Sequence, residues 1–475
     1  MLEQPTRAHW PGLAAGIAML GGAMAYVFGP FLPLALAGAG LYVGGAAIRP
    51  DLALGLVVVS VPFFPLAKSL ASLPFSSTEF LLLGCLAGWL AREAWFTWRS
   101  GPWPRPHLGR PDWPLLLFLL GALAATFVAE NLGTHLRSLR IIVVEPIVLY
   151  WLIRRLVKDE TRFLALVDAL VLAGVTVSVY AIYQYLFTTD TIVAEGVARA
   201  RALYGSPNNL GLFLGRVAPI CACLTIWGTR RRSLYTAALL PIGLALALTF
   251  SIGAWLSVAV AMFAATVAAR KYRLALAVLA GLALAFAAGS LLDLQRITLH
   301  LSPDSPTWRW RIYVWQAGWE MAKDHPLLGI GLDNFYTLYQ RYMLPEAWPE
   351  PGLSHPHNLL LDFWLSTGLL GLVGGLWFIA RLWHRALSLW QWAARQEVRA
   401  AGLGLAASTV GLVAHGLLDN SYFLVDLAIV FWLMQGLVAT QQSLRQSDII
   451  HELSTSNQDG KEESRRPGQA RLTVP

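Results

Sequence analysis

Charged side chains are scarce in this 475-residue chain, at 13% against 56% for apolar types. One soluble core could not hide so much apolar side chain, so the solvent for most of the molecule is lipid. Cysteine is scarcer still. Cys85, Cys221 and Cys223 all lie inside apolar runs, and the last two, spaced by two on a helix, point to different sides. That geometry suits neither a disulfide nor a metal site and leaves them as small core side chains. No Cys/His group has zinc spacing, and no Walker or G-x-G-x-x-G loop occurs, which excludes a soluble nucleotide-binding engine. The first apolar run is followed at once by another, and no A-x-A site leads into a mature domain, so no cleavable signal peptide is expected.

What the chain does have is apolar runs long enough to cross hydrocarbon as helices, about fourteen of them. They fall near 12–28, 30–47, 53–71, 77–97, 113–129, 139–156, 162–187, 207–227, 234–250, 252–269, 273–291, 357–380, 401–418 and 422–440. Some adjoining pairs are parted only by Gly or Pro, so the expected fold is an all-α integral membrane protein with about 12–14 transmembrane helices. One large extracytoplasmic loop, 292–356, interrupts them. It carries an amphipathic stretch in which Trp308, Trp315 and Trp319 interleave with Arg309, Arg311 and Lys323, a composition that also suits a helix lying flat on headgroups. The tail, 445–475, is polar and is expected to be disordered.

Basic residues set the orientation. With a cytoplasmic N-terminus, Arg49, then Arg92/Arg99/Arg105/Arg110, Arg154/Arg155/Lys158/Arg162, Arg230 to Arg232, Arg270/Lys271/Arg273, and Arg381/Arg385/Arg395/Arg399 all fall on one side, as the positive-inside rule requires. The net charge of +8 is then a topology signal and needs no nucleic acid as partner. Both termini are expected in the cytoplasm. The basic residues left outside are few: Arg137, Arg140, Arg199, Arg201, Arg296, Arg309, Arg311, Lys323 and Arg341.

Three polar groups at the outer border carry the chemistry. In R-A-R-A-L-Y-G-S-P-N, Arg199 and Arg201 precede a turn in which Ser206, Asn208 or Asn209 can cap the next helix. Guanidinium groups beside a helix N-terminus make an anion site, although capping alone also accounts for the turn. Further on, S-H-P-H-N opens a long apolar run, with His357 and Asn358 followed at Gly368 and Gly371 by small residues that let helices approach. An imidazole at the water boundary can accept a proton, whereas plain helix capping is the simpler role for His357. His355 stands as the substitute base two residues upstream. His415 and Asp419, expected on one helix face near the same border, fit an acceptor site. Glu145, ionisable within a span, is expected to pair with Arg216, and Asp324 and His325 read as a helix stop.

These stretches, together with LTFSIGAWLS at 248–257, RIYVW at 311–315, DHPLLGIGLDNF at 324–335 and HNLLLDFWLSTGLLG at 357–371, resemble the O-antigen ligase/polymerase superfamily over roughly 195–380. The resemblance implies a GT-C-like fold and a metal-independent glycosyl transfer, without cofactor, on the outer face of the cytoplasmic membrane. The donor is a polyprenyl-pyrophosphate-linked glycan, and the acceptor is a lipid A core, a growing glycan or a protein side chain. The family's catalytic histidine falls on His357 and its phosphate-binding arginines on Arg199 and Arg311; Arg201 and Arg309 join them as neighbouring cations. Family members commonly have Ser-Arg-Gly where this chain has Ser251-Ile252-Gly253. The chain then divides into N-terminal spans (1–194), a ligase-like core (195–380), C-terminal spans (381–444) and the tail. A solute transporter is the alternative, but it would be expected to show internal repeats and a midplane site. No repeat relates the two halves, and the cations gather at one face. A pure scaffold would leave His357 and Arg199 without purpose.

Overall fold

The computed structural model describes residues 10–70, 73–100, 112–194, 196–291, 306–348 and 352–445. Arg105, Arg110, Arg296, most of the polar tail and loop residues 292–305 lie outside the described residues. The chain is an all-α integral membrane protein. Its helices are α1 (Trp10–Phe28), α2 (Leu32–Ile48), α3 (Pro50–Ser60), α4 (Ser77–Ser100), α5 (Trp113–Ala124), α6 (Leu132–Ser138), α7 (Glu145–Leu156), α8 (Glu160–Phe187), α9 (Pro207–Trp227), α10 (Arg232–Leu248), α11 (Ile252–Ala268), α12 (Tyr272–Leu291), α13 (Pro306–Asp324), α14 (Phe335–Tyr342), α15 (Leu359–Trp392), α16 (Gln396–Gly416) and α17 (Val425–Ala439). Five helical stretches meet the length and apolarity needed to cross a membrane: α8, α9, α15, α16 and the stretch that begins with α17. Shorter apolar helices fall in seven more of the expected spans, while 77–97 is occupied by α4 and 139–156 by a π-helical turn and α7.

Apolar side chains face outward as well as inward. On α1, Leu13, Ile17, Leu20, Met24 and Phe28 are each more than half exposed and recur every three or four residues, forming one stripe. Water would penalise such a stripe; hydrocarbon does not.

The run expected at 53–71 behaves differently. Helix α3 stops at Ser60, a single 3-10 turn covers Val61–Phe63, and β1 (Ala67–Leu70) pairs antiparallel with β2 (Leu73–Ser76). Pro62 and Pro65 break the helix, since proline lacks the N–H donor and clashes with the preceding turn. A second ribbon joins β3 (Ile192–Ala194) to β4 (Val197–Arg199). Helix α15 runs past its expected end at 380 to Trp392.

Polar contacts sort the helix ends into two groups. At one end Arg92 donates to the Ile48 carbonyl at 2.9 Å, Arg395 lies 3.6 Å from Glu160, and Thr229 donates to Glu397 at 2.9 Å. At the other, Lys68 donates to the Gly29 carbonyl at 2.6 Å and the Asn131 N–H donates to Asn334 at 2.7 Å. The loops expected on one side of the membrane therefore meet one another.

An aromatic cluster under the second end fixes the loop between α16 and α17. Tyr422 lies 5.7 Å from Phe118 and 5.0 Å from Phe363, ring centre to ring centre. Its hydroxyl accepts from the Trp432 indole at 2.8 Å and reaches the Ile142 carbonyl at 3.3 Å. Burying a large aromatic contributes roughly 1.5–3 kcal/mol, so this anchor holds the preceding residues Asp419 to Ser421 in place.

Candidate active site

The site forms where the start of α15 meets the loop after α16. Asn358 caps α15, its side-chain oxygen accepting from the N–H groups of Leu360 at 3.0 Å and Leu361 at 3.2 Å. Capping is therefore the task of Asn358, not of His357. His357 adopts a left-handed backbone, φ +49°, uncommon for a residue with a side chain. Its Nδ1 lies 2.8 Å from Asp419 Oδ1. A carboxylate there accepts from Nδ1–H and leaves the Nε2 lone pair free to take a proton. The Trp315 indole donates to the His357 carbonyl at 3.2 Å, tying α13 to the same turn.

Asp419 is nearly buried and well served. The Asn420 N–H donates to its Oδ1 at 2.8 Å, and His355 Nε2 lies 3.6 Å away. Burial works to raise the Asp419 pKa, but the imidazoles of His355, His357 and His415 outweigh it and hold the carboxyl well below its usual range. The rings of His355 and His357 stand 4.3 Å apart, and the Ser354 hydroxyl is 2.9 Å from His355 Nδ1. His355, His357 and Asp419 bring one donor atom each within 4.8 Å of one another, the one such group among the described residues able to hold a metal ion.

Arg311 and Asp333 extend the field. Arg311 is partly buried, which lowers its pKa, while the Asp419 charge works to raise it. Asp333, also in a left-handed conformation, has its pKa raised by burial and feels the charges of Arg137 and His355.

The glycine-rich 324–335 stretch explains how this geometry is held. At Gly368, φ is +66° and ψ −174°, a region open in practice only to glycine, and α15 kinks there. The Leu369 N–H freed by the kink donates to the Leu327 carbonyl at 3.0 Å, and the Ile330 N–H donates back to the Leu365 carbonyl at 2.7 Å. A Cβ on Gly368 would stand 2.3 Å from the Leu327 oxygen, and one on Gly329 the same distance from the Leu365 oxygen. Farther on, the Leu332 N–H donates to His135 at 2.9 Å, fastening the same stretch to α6.

The other residues singled out in the sequence divide. Buried Arg199 donates to the Thr249 carbonyl and to Asn208, both at 2.8 Å, and so joins β4, the α10–α11 turn and the start of α9. In that helix the cap is Ser206, whose hydroxyl accepts from Asn209 at 3.2 Å. Gly253, after the 249–251 turn, packs against the His415 ring; a Cβ there would lie 2.9 Å from its Nε2. Arg201 is instead engaged by Asp190, which its guanidinium holds below the usual carboxylate range, and by the Tyr204 carbonyl. Arg309 is exposed.

Glu145 and Arg216 do not pair. Glu145 lies 3.7 Å from Arg140, which also bridges to Glu79 at 2.7 Å, around a cavity of about 180 Å3 that Arg137 helps to line. Arg140 is only five residues away through a π-helical turn, Leu139–Val144, so the local partner wins. Arg216, fully buried, donates to both the Ser421 carbonyl and its hydroxyl. Nor do His415 and Asp419 share a helix face: α16 ends at Gly416, and Asp419 lies in the loop beyond. Asp324 does end α13, as expected. Sequence reasoning left open that Asp419 serves His357; the polar triplet Asp419-Asn420-Ser421 between two apolar runs was the available signal.

An all-helical membrane protein with an imidazole, a carboxylate and a guanidinium gathered at one end of its bundle is the class this geometry defines. The O-antigen ligase family model matches residues 236–376, which contain Arg311, His355 and His357. Over that stretch the chain is similar to the O-antigen ligase family, and the match supports membership of the O-antigen ligase/polymerase superfamily and a membrane glycosyltransferase-like function. No curated protein matches the chain.

Proposed function

We propose that the chain transfers a saccharide from polyprenyl pyrophosphate to an acceptor hydroxyl at the extracytoplasmic face of the cytoplasmic membrane, as an O-antigen ligase or polymerase. The observation that carries this reading is the 2.8 Å contact from His357 Nδ1 to Asp419, because it leaves Nε2 as a base. The acceptor hydroxyl gives its proton to Nε2 as its oxygen bonds to the anomeric carbon. The bond from that carbon to the pyrophosphate oxygen breaks, and the leaving group departs as an anion. Pyrophosphate is already a good leaving group, so fixed positive charge serves it better than a general acid. Arg311, within the field of Asp419, is the first cation we assign to it, and Arg199, across the Gly253 and His415 contact, is the second. Asp419 orients the base; Asn358 and Trp315 hold the turn that presents it.

The test is transfer from a purified polyprenyl-pyrophosphate glycan by the protein in liposomes, with Arg311→Ala and Arg199→Ala beside the parent. Both variants are expected to raise the donor KM and lower kcat, while product length separates ligase from polymerase. Parent-like kinetics in both folded variants would sink the pyrophosphate role.

A further inference from the structure

The end of the bundle opposite His357 holds a cavity of about 590 Å3 with four arginines in its lining, Arg154, Arg381, Arg385 and Arg445, and His384 beside them. Among the described residues Asp112 is the one carboxylate facing them there. It is already committed, lying 2.5 Å from Arg381 Nη1 and accepting from the Tyr150 hydroxyl at 2.8 Å. The positive-inside bias accounts for basic residues in loops at this end, but not for four that converge on one space. Arg381 is the informative one. Its Nε and Nη2 are buried and have no hydrogen-bond partner, and unpaired donors on a buried cation are costly. Neither donor is open to the cavity, so an anion there would offset the charge of Arg381 while meeting the accessible guanidinium forks of Arg154, Arg385 and Arg445, whose planar geometry suits a phosphate.

We propose that this cavity binds a phosphate group, that of an anionic phospholipid in the adjoining leaflet, on Arg154, Arg385 and Arg445 beside the buried charge of Arg381. The lining supports a lipid source, since the cavity lies at the end of a bundle of apolar helices, where a headgroup in the adjoining leaflet would sit, and partly exposed Ala439 of α17 borders it. Basic pockets between helices on the cytoplasmic side are where anionic headgroups are captured. The site lies at the far end from the imidazole, so the proposal stands whether or not the transfer chemistry does.

The experiment uses the full purified chain, stripped of lipid in neutral detergent, and follows thermal unfolding on adding phosphatidylglycerol, phosphatidylcholine or inorganic phosphate at fixed ionic strength. The comparison is Arg385→Gln/Arg445→Gln, which leaves the Asp112 to Arg381 pair intact. Phosphatidylglycerol is expected to raise the parent's Tm by a few degrees over phosphatidylcholine, and the double variant to lose that increment. A rise from inorganic phosphate alone, equal to that from the lipid and lost in the variant, supports the phosphate site but assigns it to the free ion and overturns the lipid source. An equal response of parent and variant overturns the site. Should the variant not fold, native mass spectrometry of the parent in mixed lipid decides: retained phosphatidylglycerol supports the proposal and no preference between lipids overturns it.

Discussion

The two ends of the helical bundle treat charge differently. Around His357, opposite charges meet: Asp419 faces two imidazoles, Arg311 lies within its field, and Asp333 feels Arg137 and His355. Around Arg381, four guanidinium groups meet one carboxylate. The first arrangement is nearly self-sufficient and leaves one lone pair available, which suits proton transfer. The second, among the described residues, has more guanidinium groups than carboxylate to meet them, which suits capture of an anion. Basic residues of similar number at two ends thus carry different chemistry, and what distinguishes them is how many acceptors each end supplies.

The largest expected effect is at the self-sufficient end. His357→Ala should lower transfer by about 10²–10⁴-fold, the usual contribution of a general base, in a variant that still folds. Asp419→Asn tests the same pair from the other side. An amide cannot hold the imidazole in the same protonation state, so roughly 10²-fold or more of kcat should be lost even if the ring stays in place. Comparable kcat in the Asn variant would mean that the 2.8 Å contact does not orient a base.

A smaller effect concerns stability and pH. Because the folded Asp419 pKa is depressed, its contribution to stability is fully present above the unfolded carboxylate value of about 3.9 and is lost as pH falls through the folded value. The gap in melting temperature between parent and Asp419→Asn should therefore persist at neutral pH and shrink below about pH 4. A gap that is constant with pH would contradict this.

Gly368→Ala probes the kink that shapes the site. Its φ and ψ exclude an ordinary side chain, and the added Cβ would meet the Leu327 oxygen at 2.3 Å. A loss of about 1–3 kcal/mol is expected, read from unfolding of the purified chain. The smallest change should come from Arg201→Ala. Its bridge to Asp190 is solvent-exposed on the carboxylate side, so stability should move little, and kcat should fall far less than in Arg199→Ala.

Much of the architecture could be read from residues alone, because lipid gives an apolar run few options. The span expected at 207–227 is α9 to the residue, since Ser206 and Pro207 mark its start and Gly228 ends it. The hairpin at 67–76 escaped such reading because the apolar run through α3 carries on to residue 71, although Pro62, Pro65 and Lys68 within it point to an earlier end. His357 was visible as an imidazole at a border. Its partner, 62 residues further on, was not, because tertiary packing of Tyr422 and Trp432 sets the loop that brings Asp419 to it. Glu145 shows the opposite error: a long-range partner was expected where a cation five residues away sufficed.

The most direct test of the central claim is a comparison of His355→Ala with His357→Ala in the liposome transfer assay, with a chelator present throughout. Both imidazoles lie near Asp419, but only His357 is within hydrogen-bond distance. The account predicts that chelation leaves the parent active, that His357→Ala loses nearly all transfer, and that His355→Ala keeps most of it. Equal losses in the two folded variants, or a parent silenced by the chelator, would contradict the account and give His355, His357 and Asp419 to a bound cation instead.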